Sequence, residues 1–536
     1  MSTLTPSPNP GSHWAGYPVP AMRYEAHHGE RVVRCFNPRS ASLLAMFEQA
    51  VSEAPAQEAM VFENRRWRYD TLAAEAQRLA ASLAGLGLRP GERVIMLLSN
   101  RPEFLVLLLA LLRVGAIAVP VGVREQRPGV SYIAQQCGAR GIVFDETLAD
   151  RVPLPDEAPA LTLRLSAESL AALPPAAGPW PAHAAQEHDC AVILYTSGTT
   201  GRPKGAMLTH ANIVHSALHW QACHRLGRAE RSALAVPASH VTGLVAVIAA
   251  MWCVAGCVVV VPEFKADALV ALLAAERITH TVMVPAMYKL CLMSPVLGRV
   301  DLSAWRIGGY GGAPMPVSTI DELAVRVPTL LPLNCYGATE TTSPVTIMPA
   351  GGTRAHADSV GVALPAADIL VMDDEGREVP AGETGELWIG GPMVVPGYWA
   401  NPEATAASFT AGYWHSGDLG SVDAQGFVRV FDRKKDMLNR GGFKIYSVEV
   451  ENTLMGCPGV VEAAVVSKPC PVLGERVHAF VHAPAWVGGA AALQAHCATQ
   501  LADYKVPETV NFTDAPLPRN ANGKVLKRLL REQLLS

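Results

Sequence analysis

The feature that most constrains the fold is a repeated alternation of short apolar runs with amphipathic helical segments, which continues to about residue 345. In its first cycle, Arg66–Tyr69 indicates a strand, leucines from Leu72 to Leu83 share one helical face, and Val94–Leu98 indicates the next strand. Consecutive parallel strands need a crossover that is usually a helix. The pattern therefore predicts an α/β protein with parallel-rich sheets covered by helices.

The sequence pattern changes after Gly361, where the predicted secondary-structure segments become shorter and richer in glycine and β-branched residues. Glu386–Gly390 and Gly426–Val430 are examples, and they predict a small β-barrel-like subdomain over about residues 346–430. A charged cluster, Asp432–Asp436, follows. We place the main domain boundary there.

The predicted organisation has two domains. A large N-terminal domain covers residues 1–434, and its first 30 residues, rich in Pro, Gly, His and Ser, are expected to form a loose arm. A small α+β C-terminal domain covers residues 435–536. We see no sequence signal that assigns the arm a role.

Composition excludes several classes of protein. Half of the 536 residues are hydrophobic, which allows a large core, and a net charge of −4 gives no basis for nucleic-acid binding. The 11 cysteines include no Cys-x-x-Cys pair, so we expect reduced thiols rather than disulfides or a zinc site. The N-terminus lacks a signal-peptide pattern, which predicts a cytoplasmic protein.

The segment Leu244–Val261 has no polar side chain and is long enough to suggest a membrane span. Gly256 divides it, however, and Pro262 ends it. A buried helix followed by a buried parallel strand gives the same pattern. We therefore predict no membrane span.

The strongest chemical signal is the string Tyr195–Gly205, which follows the apolar run Ala191–Leu194. Its three glycines, four hydroxyl groups and one lysine can direct backbone N–H groups and hydroxyls toward phosphate oxygens. It does not align with a Walker A loop. By composition alone, a flexible surface loop is the alternative.

The full string resembles the phosphate loop of the adenylate-forming superfamily, which includes acyl-CoA synthetases, peptide-synthetase adenylation domains and firefly luciferase. Further motifs follow in the superfamily's order, so the resemblance covers roughly residues 60–530. It implies a large AMP-binding domain with a mobile C-terminal lid, and ATP, Mg²⁺ and coenzyme A as ligands. The phosphate contacts it implies are Thr196, Ser197, Gly198, Thr199, Thr200 and Lys204.

Two motifs then match the superfamily's nucleotide and acyl sites. In Gly308–Met315 the resemblance implies a pocket lined by Tyr310, Gly311, Gly312, Ala313 and Pro314, of which the last three also contact the nucleotide. Tyr310 departs from the small or polar residue usual at its position. In Asn334–Glu340 it implies that Tyr336 flanks adenine, Thr339 contacts the α-phosphate and Glu340 binds Mg²⁺. The neighbouring nucleotide contacts are Cys335 and Gly337.

The second half of the chain carries the remaining family positions. By resemblance, Asp418 binds the ribose, Arg433 binds ribose or phosphate, and Lys444 lies near the nucleotide. Lys435 occupies the hinge position, and Gly441 and Gly442 line the thiol tunnel. Lys524, in a string resembling Pro-Arg-[Thr/Asn]-x-x-Gly-Lys, is the catalytic cation that bridges carboxylate and α-phosphate.

The acyl site is implied by Pro237–Gly243, which resembles the family's Pro-x-x-His-x-x-Gly. The acyl-site candidates are His240, Val241 and Gly243. We also assign His240 a catalytic role, as we do Thr196, Glu340 and Lys524. A satisfied core histidine is the alternative for His240. No acidic residue occurs between Arg231 and Val261. Because a buried ammonium group needs a counter-charge, we expect a fatty or aromatic acid rather than an α-amino acid.

Three functions remain open from the sequence. The first is an AMP-forming carboxylic acid–CoA ligase, in which the acid attacks ATP and the resulting acyl-adenylate passes its acyl group to the thiol. The second is an acyl-AMP ligase that loads a separate carrier protein. The third is a non-catalytic nucleotide-binding relative. A homodimer is compatible with the sequence.

Overall fold

The computed structural model describes residues 13–28, 31–174, 182–196, 202–519 and 525–535. The strands, in chain order, are β1 Met22–His27, β2 Arg31–Phe36, β3 Glu58–Phe62, β4 Arg65–Arg68, β5 Arg93–Leu97, β6 Ile117–Pro120, β7 Gly141–Phe144, β8 Leu163–Ser166, β9 Cys190–Thr196, β10 Lys204–Thr209, β11 Arg231–Leu234, β12 Cys257–Val260, β13 His280–Met283, β14 Ile307–Tyr310, β15 Leu331–Tyr336, β16 Thr346–Ile347, β17 Val362–Ala363, β18 Asp368–Met372, β19 Gly385–Gly390, β20 Phe409–Thr410, β21 Tyr413–Val422, β22 Val428–Arg433, β23 Leu438–Arg440, β24 Phe443–Ile445, β25 Glu462–Cys470, β26 Gly474–His482 and β27 Thr509–Phe512.

The α-helices are α1 Leu43–Glu53, α2 Tyr69–Gly85, α3 Pro102–Val114, α4 Arg127–Cys137, α5 His210–Cys223, α6 Ala250–Cys253, α7 Ala266–Ala275, α8 Pro285–Met293, α9 Val317–Arg326, α10 Pro402–Ser408, α11 Ser447–Met455, α12 Gly489–Ala498 and α13 Lys527–Leu535. A π-helix covers Thr242–Ala249. Short 3₁₀ turns cover Glu146–Arg151, Ala167–Ala172, Leu297–Arg299, Thr339–Thr341 and Asp503–Lys505.

Two parallel-rich sheets carry the first part of the chain. One has the order β10-β9-β6-β5-β7-β8, in which β9 and β10 pair antiparallel and the other pairs are parallel. The other has the order β17-β16-β15-β14-β13-β11-β12-β3-β4, with parallel pairing from β15 to β3. Helices connect the parallel strands, so the predicted α/β class is confirmed.

The β-rich region and the end of the chain contain separate sheets. The first has the order β18-β19-β21-β20 with β22 paired to β21, and the second has the order β24-β23-β26-β25 with β27 paired to β26. Helices α11, α12 and α13 accompany the second sheet, which has its own hydrophobic core around Leu438, Val465 and Val477. This is the predicted α+β character.

The chain divides into two compact units. The first comprises residues 1–370, 388–415 and 423–428, and the second comprises residues 371–387, 416–422 and 429–536. The last segment of the second unit begins a few residues before the expected boundary at 434/435. That the chain rotates at this boundary remains a prediction.

The N-terminal segment differs from the expected loose arm over residues 13–28. β1 and β2 form an antiparallel hairpin, with Met22 opposite Phe36 and His27 opposite Arg31. Trp14 is buried, and its indole Nε1–H donates to the carbonyl of Ala363 at 2.8 Å. The expectation was wrong here because composition does not register one buried tryptophan or a strand pair that uses polar residues.

The apolar segment Leu244–Val261 is a buried helical stretch followed by β12, as predicted. Its helical part contributes to the main core together with Val258 and Val260, whereas Cys257, Val259 and Val261 belong to a second hydrophobic cluster. β12 pairs in parallel with β11 and β3. Among the helices that the structure describes, none has the length and apolar character needed to cross a membrane.

Candidate active site

Strands β9 and β10 form a hairpin that brings two predicted phosphate-binding residues opposite each other. Thr196 and Lys204 are direct partners in the antiparallel register. The loop between them contains the predicted residues Ser197, Gly198, Thr199 and Thr200, which lie outside the described residues. The hairpin therefore fixes the two ends of the predicted phosphate loop.

Glu340 is the centre of a hydrogen-bonded cluster in the first unit. It lies in the 3₁₀ turn just after β15 and is 8% exposed. Its Oε1 accepts a hydrogen bond from the Thr196 hydroxyl at 3.3 Å and from the Tyr398 hydroxyl at 2.9 Å. The Nζ of Lys204 lies 5.1 Å from the centre of the Tyr398 ring. A carboxylate, two hydroxyls and an ammonium group thus meet in one place.

Tyr398 was not predicted, and backbone pairing explains its position. The segment that contains it runs beside β10, where the Met207 N–H donates to the Gly397 carbonyl at 3.1 Å and the Trp399 N–H donates to the Gly205 carbonyl at 2.7 Å. A buried tyrosine usually needs a partner for its hydroxyl. No sequence pattern indicates that this partner is Glu340, which lies 58 residues away in the chain.

The predicted adenine motif forms the carboxyl end of β15 and the turn after it. Tyr336 is half-buried and pairs with Thr346 of β16. A Cβ atom on Gly337 would lie 2.9 Å from the Cα of Pro344, so only glycine fits this approach of two backbones. Thr339 is half-buried in the 3₁₀ turn that carries Glu340.

Backbone crowding also marks the end of β14, which pairs in parallel with β15. A Cβ atom on Gly311 would lie 2.2 Å from the Cys335 carbonyl oxygen. Gly312 has φ +77°, a conformation that favours glycine. Ala313 and Pro314 are exposed after it. The residues predicted to line a pocket are therefore adjacent at two neighbouring strand ends, where α/β enzymes commonly bind ligands.

Tyr310, also predicted to line the acyl pocket, has a different environment. Its side chain is 1% exposed and belongs to a hydrophobic cluster with Tyr288 and Trp305. Burial raises the pKa of its phenol. Because side chains alternate along a strand, Gly309 and Gly311 face the opposite side from Tyr310. The structure thus places the Tyr310 side chain in packing rather than in the predicted acyl pocket.

His240 precedes the π-helix Thr242–Ala249 and is partly exposed. Its Nδ1 accepts a hydrogen bond from the Thr242 backbone N–H at 3.2 Å and lies 3.1 Å from the Thr242 hydroxyl. Burial lowers the pKa of the imidazole. Because Nδ1 accepts from a backbone N–H, the neutral ring carries its proton on Nε2. Short π-helices frequently occur at functional sites.

The other two residues of the His240 motif have structural roles. Val241 is buried in the main core. A Cβ atom on Gly243 would lie 2.3 Å from the Pro237 carbonyl oxygen. The glycine therefore lets the helix start pack on the turn that presents His240.

A buried polar chain, missed in the sequence, lies next to this region. The Ser232 hydroxyl is 2.8 Å from His280 Nδ1, and His280 Nε2 is 3.0 Å from His224 Nδ1. The chain continues to the Cys335 thiol, 3.8 Å from His224 Nε2. Neither histidine is solvent-exposed. The positions of His224 and His280 in the sequence do not predict that they meet, because His224 follows α5 and His280 begins β13.

In the second unit, two predicted nucleotide-binding residues form an ion pair. Arg433 Nε lies 2.6 Å from Asp418 Oδ1, and the Arg433 Nη1 group donates to the Ser416 carbonyl at 3.1 Å. The Asp418 side chain is 5% exposed and the Arg433 side chain 37%. The structure thus brings together residues that are 15 positions apart, with the arginine fixing the carboxylate.

The remaining predicted residues of the second unit lie in and around a tight hairpin. Gly441 and Gly442 connect β23 and β24 and have φ +59° and +92°, as a two-residue hairpin turn requires. Lys444 is exposed opposite Asn439 on that hairpin, and Lys435 is exposed in the turn before β23. Lys524 lies outside the described residues. The hinge, tunnel and catalytic assignments stay predictions.

The chain matches the family described as AMP-binding enzyme over residues 47–399 and the family described as AMP-binding enzyme C-terminal domain over residues 449–524. Because the first match covers more than half of the sequence, the chain belongs to the AMP-binding enzyme family. The predicted resemblance to adenylate-forming enzymes is confirmed.

Individual proteins agree with this assignment. A feruloyl-CoA synthase of Amycolatopsis sp is 36% identical over 468 residues, which cover 87% of this chain and 93% of that protein. The fatty acid–[acyl-carrier-protein] ligase ScoC of Streptomyces coeruleorubidus is 33% identical over 526 residues, covering 93% and 98%. The solved structure of o-succinylbenzoate coenzyme A synthetase from Bacillus subtilis with ATP and a magnesium ion is 27% identical, with a TM-score of 0.84 over 92% of this chain and 99% of that one.

Proposed function

We propose that this protein is an AMP-forming carboxylic acid–CoA ligase that acts on a fatty or aromatic acid. The observation that carries the proposal is the cluster of Thr196, Glu340 and Tyr398 beside Lys204, at the base of a loop that resembles the superfamily's phosphate loop. Full-length similarity to a feruloyl-CoA synthase supports the same reaction class.

The reaction begins with the acid as a carboxylate, which is already ionised at neutral pH and needs no general base. A carboxylate oxygen attacks the α-phosphorus of ATP, the bond to the β-phosphate oxygen breaks, and pyrophosphate leaves. Negative charge accumulates around the α-phosphorus, so positioning and electrostatic stabilisation are the main requirements. Lys204 and the loop after Thr196 supply positive charge and donors there.

The Thr196 hydroxyl and the Glu340 carboxylate are hard oxygen donors 3.3 Å apart. Mg²⁺ prefers such ligands and usually retains substrate phosphates and water in its shell, so the residues present fit this ion. When bound, Mg²⁺ would neutralise phosphate charge. Tyr398, by donating to Glu340, would hold the carboxylate in one orientation.

In the second step the thiol sulfur of coenzyme A attacks the acyl carbon, AMP leaves, and the thiol proton passes to solvent. The resemblance assigns this step to Gly441 and Gly442 after movement at Lys435, and assigns the first step to Lys524. His240, neutral with Nε2–H as its donor, would orient the acid's carboxylate.

The acyl specificity follows from charge. No acidic side chain lies between Arg231 and Val261, and the helical stretch after His240 is buried and apolar. An α-amino group there would lack a counter-charge. The feruloyl and fatty-acid relatives support an apolar acid but do not choose between the two kinds.

A panel of ferulic, benzoic, medium-chain and long-chain acids tests the proposal by pyrophosphate release, with and without coenzyme A. We expect release with at least one acid and AMP plus thioester only when coenzyme A is present. Similarity to ScoC favours a second candidate, the loading of an acyl carrier protein. Thioester on a carrier protein, with none on coenzyme A, would select it. No release with any acid would contradict both.

Lys524→Ala separates the two half-reactions. We expect the variant to lose acid-dependent pyrophosphate release and to retain conversion of supplied acyl-adenylate to thioester. Lys527→Ala is a matched control, because Lys527 already pairs with Glu451 at 2.6 Å. Equal loss of both half-reactions in Lys524→Ala would contradict the assignment.

A further inference from the structure

Three histidines in the first unit form a cluster that the proposed reaction does not use. His27 ends β1, His28 follows it, and His188 lies just before β9. One ring nitrogen from each side chain lies within 4.8 Å of the others. The ring centres are 4.2 Å apart for His27 and His28, and 4.8 Å and 4.9 Å from each of these to His188. The three imidazoles therefore converge on one point.

Two of these side chains have an unused donor or acceptor atom at the cluster. His27 is 1% exposed, and within the part of the chain that the structure describes, the buried Nε2 atoms of His27 and His28 have no hydrogen-bond partner. A buried polar atom without a partner destabilises the folded state. A bound ion at this point would satisfy both atoms at once.

The backbone around the cluster is fixed by other contacts. Arg39 forms ion pairs with Glu25 of β1 at 2.8 Å and with Glu187, the neighbour of His188, at 2.7 Å. The Ala211 N–H donates to the Glu187 carbonyl at 2.8 Å. The strand that carries His27 and the segment that carries His188 are thus held together before any ligand binds.

The charged side chains around the cluster are engaged with other groups. Arg31 donates through Nη1 to the carbonyls of Val394 and Val395 at 3.2 and 3.1 Å. Glu25 and Glu187 share Arg39, and Glu25 also pairs with Arg23 at 2.8 Å. The two carboxylates therefore offset the charges of Arg39 and Arg23, and the guanidinium of Arg31 is directed to backbone carbonyls.

We propose that His27, His28 and His188 form a Zn²⁺ site that fastens the N-terminal hairpin to the segment preceding β9. Neutral imidazole is a preferred Zn²⁺ ligand, and a Zn–N distance of 2.0–2.1 Å implies ligand nitrogens about 3.3 Å apart. The present separations must shorten by up to about 1.5 Å. His188 is exposed and can close that gap by side-chain rotation, and its exposure leaves the fourth position to water.

The site has a structural consequence for the proposed enzyme. β9 begins two residues after His188 and ends at Thr196, at the base of the predicted phosphate loop. Arg39 already connects the β1–β2 hairpin to the segment that precedes β9. The metal would add a second connection between them. It takes no part in adenylation, so the proposal stands or falls independently of the proposed function.

The experiment uses the full chain with its affinity tag removed, since a polyhistidine tag would itself bind metal. Protein stripped with a chelator and dialysed is titrated with Zn²⁺ alone by calorimetry, and with Co²⁺ alone by visible absorption. We expect one tight Zn²⁺ site per chain, a Co²⁺ spectrum of four-coordinate type, and a higher melting temperature with Zn²⁺.

His188→Ala is the informative variant because an exposed side chain is not needed for folding. We expect it to weaken Zn²⁺ binding by at least about tenfold, by analogy with the loss seen when metal sites are perturbed, and to remove the shift in melting temperature. His183→Ala, an exposed histidine on the same segment, should bind Zn²⁺ like the wild type. Absence of Zn²⁺ binding in the wild type, or equal affinities in the two variants, would overturn the proposal.

Discussion

Replacing His280 by glutamine tests whether the buried Ser232–His280–His224 chain is neutral, as the structure implies. Burial, together with the nearby charge of Arg306, lowers the pKa of His280 to about 3. Burial also lowers the pKa of His224. In the unfolded chain, a histidine has a pKa of about 6.5. Between these two values the unfolded state binds a proton that the folded state does not.

The sign and size of the effect follow from proton linkage. Stability rises with pH wherever the unfolded state binds more protons, so acidification through 6.5 destabilises the folded protein. From pH 7 to pH 5 one such histidine removes about 2 kcal/mol from the free energy of unfolding. The result requires only that the folded-state pKa lie below 5. Glutamine does not titrate, so His280→Gln removes this contribution.

Urea unfolding at pH 7, 6 and 5 measures the effect, followed by fluorescence of the buried tryptophans Trp220, Trp252 and Trp305. We expect the wild type to lose about 2 kcal/mol more than His280→Gln between pH 7 and 5. The variant's lower starting stability does not matter, because each protein is compared with itself. His183→Gln, at an exposed position, should keep the wild-type slope. Parallel slopes for wild type and His280→Gln would refute the reasoning.

Three further substitutions test the candidate site. Tyr398→Phe removes a donor from the buried Glu340 carboxylate and should lower the free energy of unfolding by about 2 kcal/mol. In the control Tyr413→Phe, the hydroxyl that is removed has an exposed hydrogen-bond partner, so the free energy of unfolding should fall by less than about 1 kcal/mol in the same urea assay. Gly311→Ala sets a Cβ 2.2 Å from a backbone oxygen; we expect a loss of about 1–3 kcal/mol and weaker ATP binding by calorimetry, and wild-type affinity would contradict this. Asp418→Asn should raise the KM for ATP at least about tenfold, the equivalent of one charged hydrogen bond, and an unchanged KM would remove Asp418 from the nucleotide site.

The sequence predicted elements well where local pattern and tertiary environment agree. Strand β12 and the helical stretch before it were predicted from an apolar run that Gly256 divides and Pro262 ends, a pattern that favours a buried helix and strand over a membrane span. The β9–β10 hairpin was less apparent, because the residues of its loop indicate phosphate binding rather than a turn between paired strands. The strand register nevertheless places Thr196 opposite Lys204 and so holds the two ends of the predicted phosphate loop together.

The sequence does not predict which residues that are distant in the chain contact one another. Tyr398 lies in an ordinary Gly-Tyr-Trp string, and its role depends on pairing with β10. The hairpin at β1 and β2 was missed because polar and apolar residues mix in both strands without a clear pattern, and it is held by strand pairing, by Arg39 and by the buried Cys35 and Phe36. A motif identifies residue types that suit a reaction, but not which side chain will orient them.

Tyr310 shows why a motif position and a side-chain position must be distinguished. The family pattern placed it in the pocket-lining segment, and its size suggested an altered pocket. On β14, however, Gly308 and Tyr310 face the cluster containing Tyr288, while Gly309 and Gly311 face His224 and Cys335. The strand's two-residue period sends the bulky side chain into the core. The other side of this strand is therefore glycine backbone, with His224 and Cys335 as its neighbours, and the glycine motif alone does not reveal that placement.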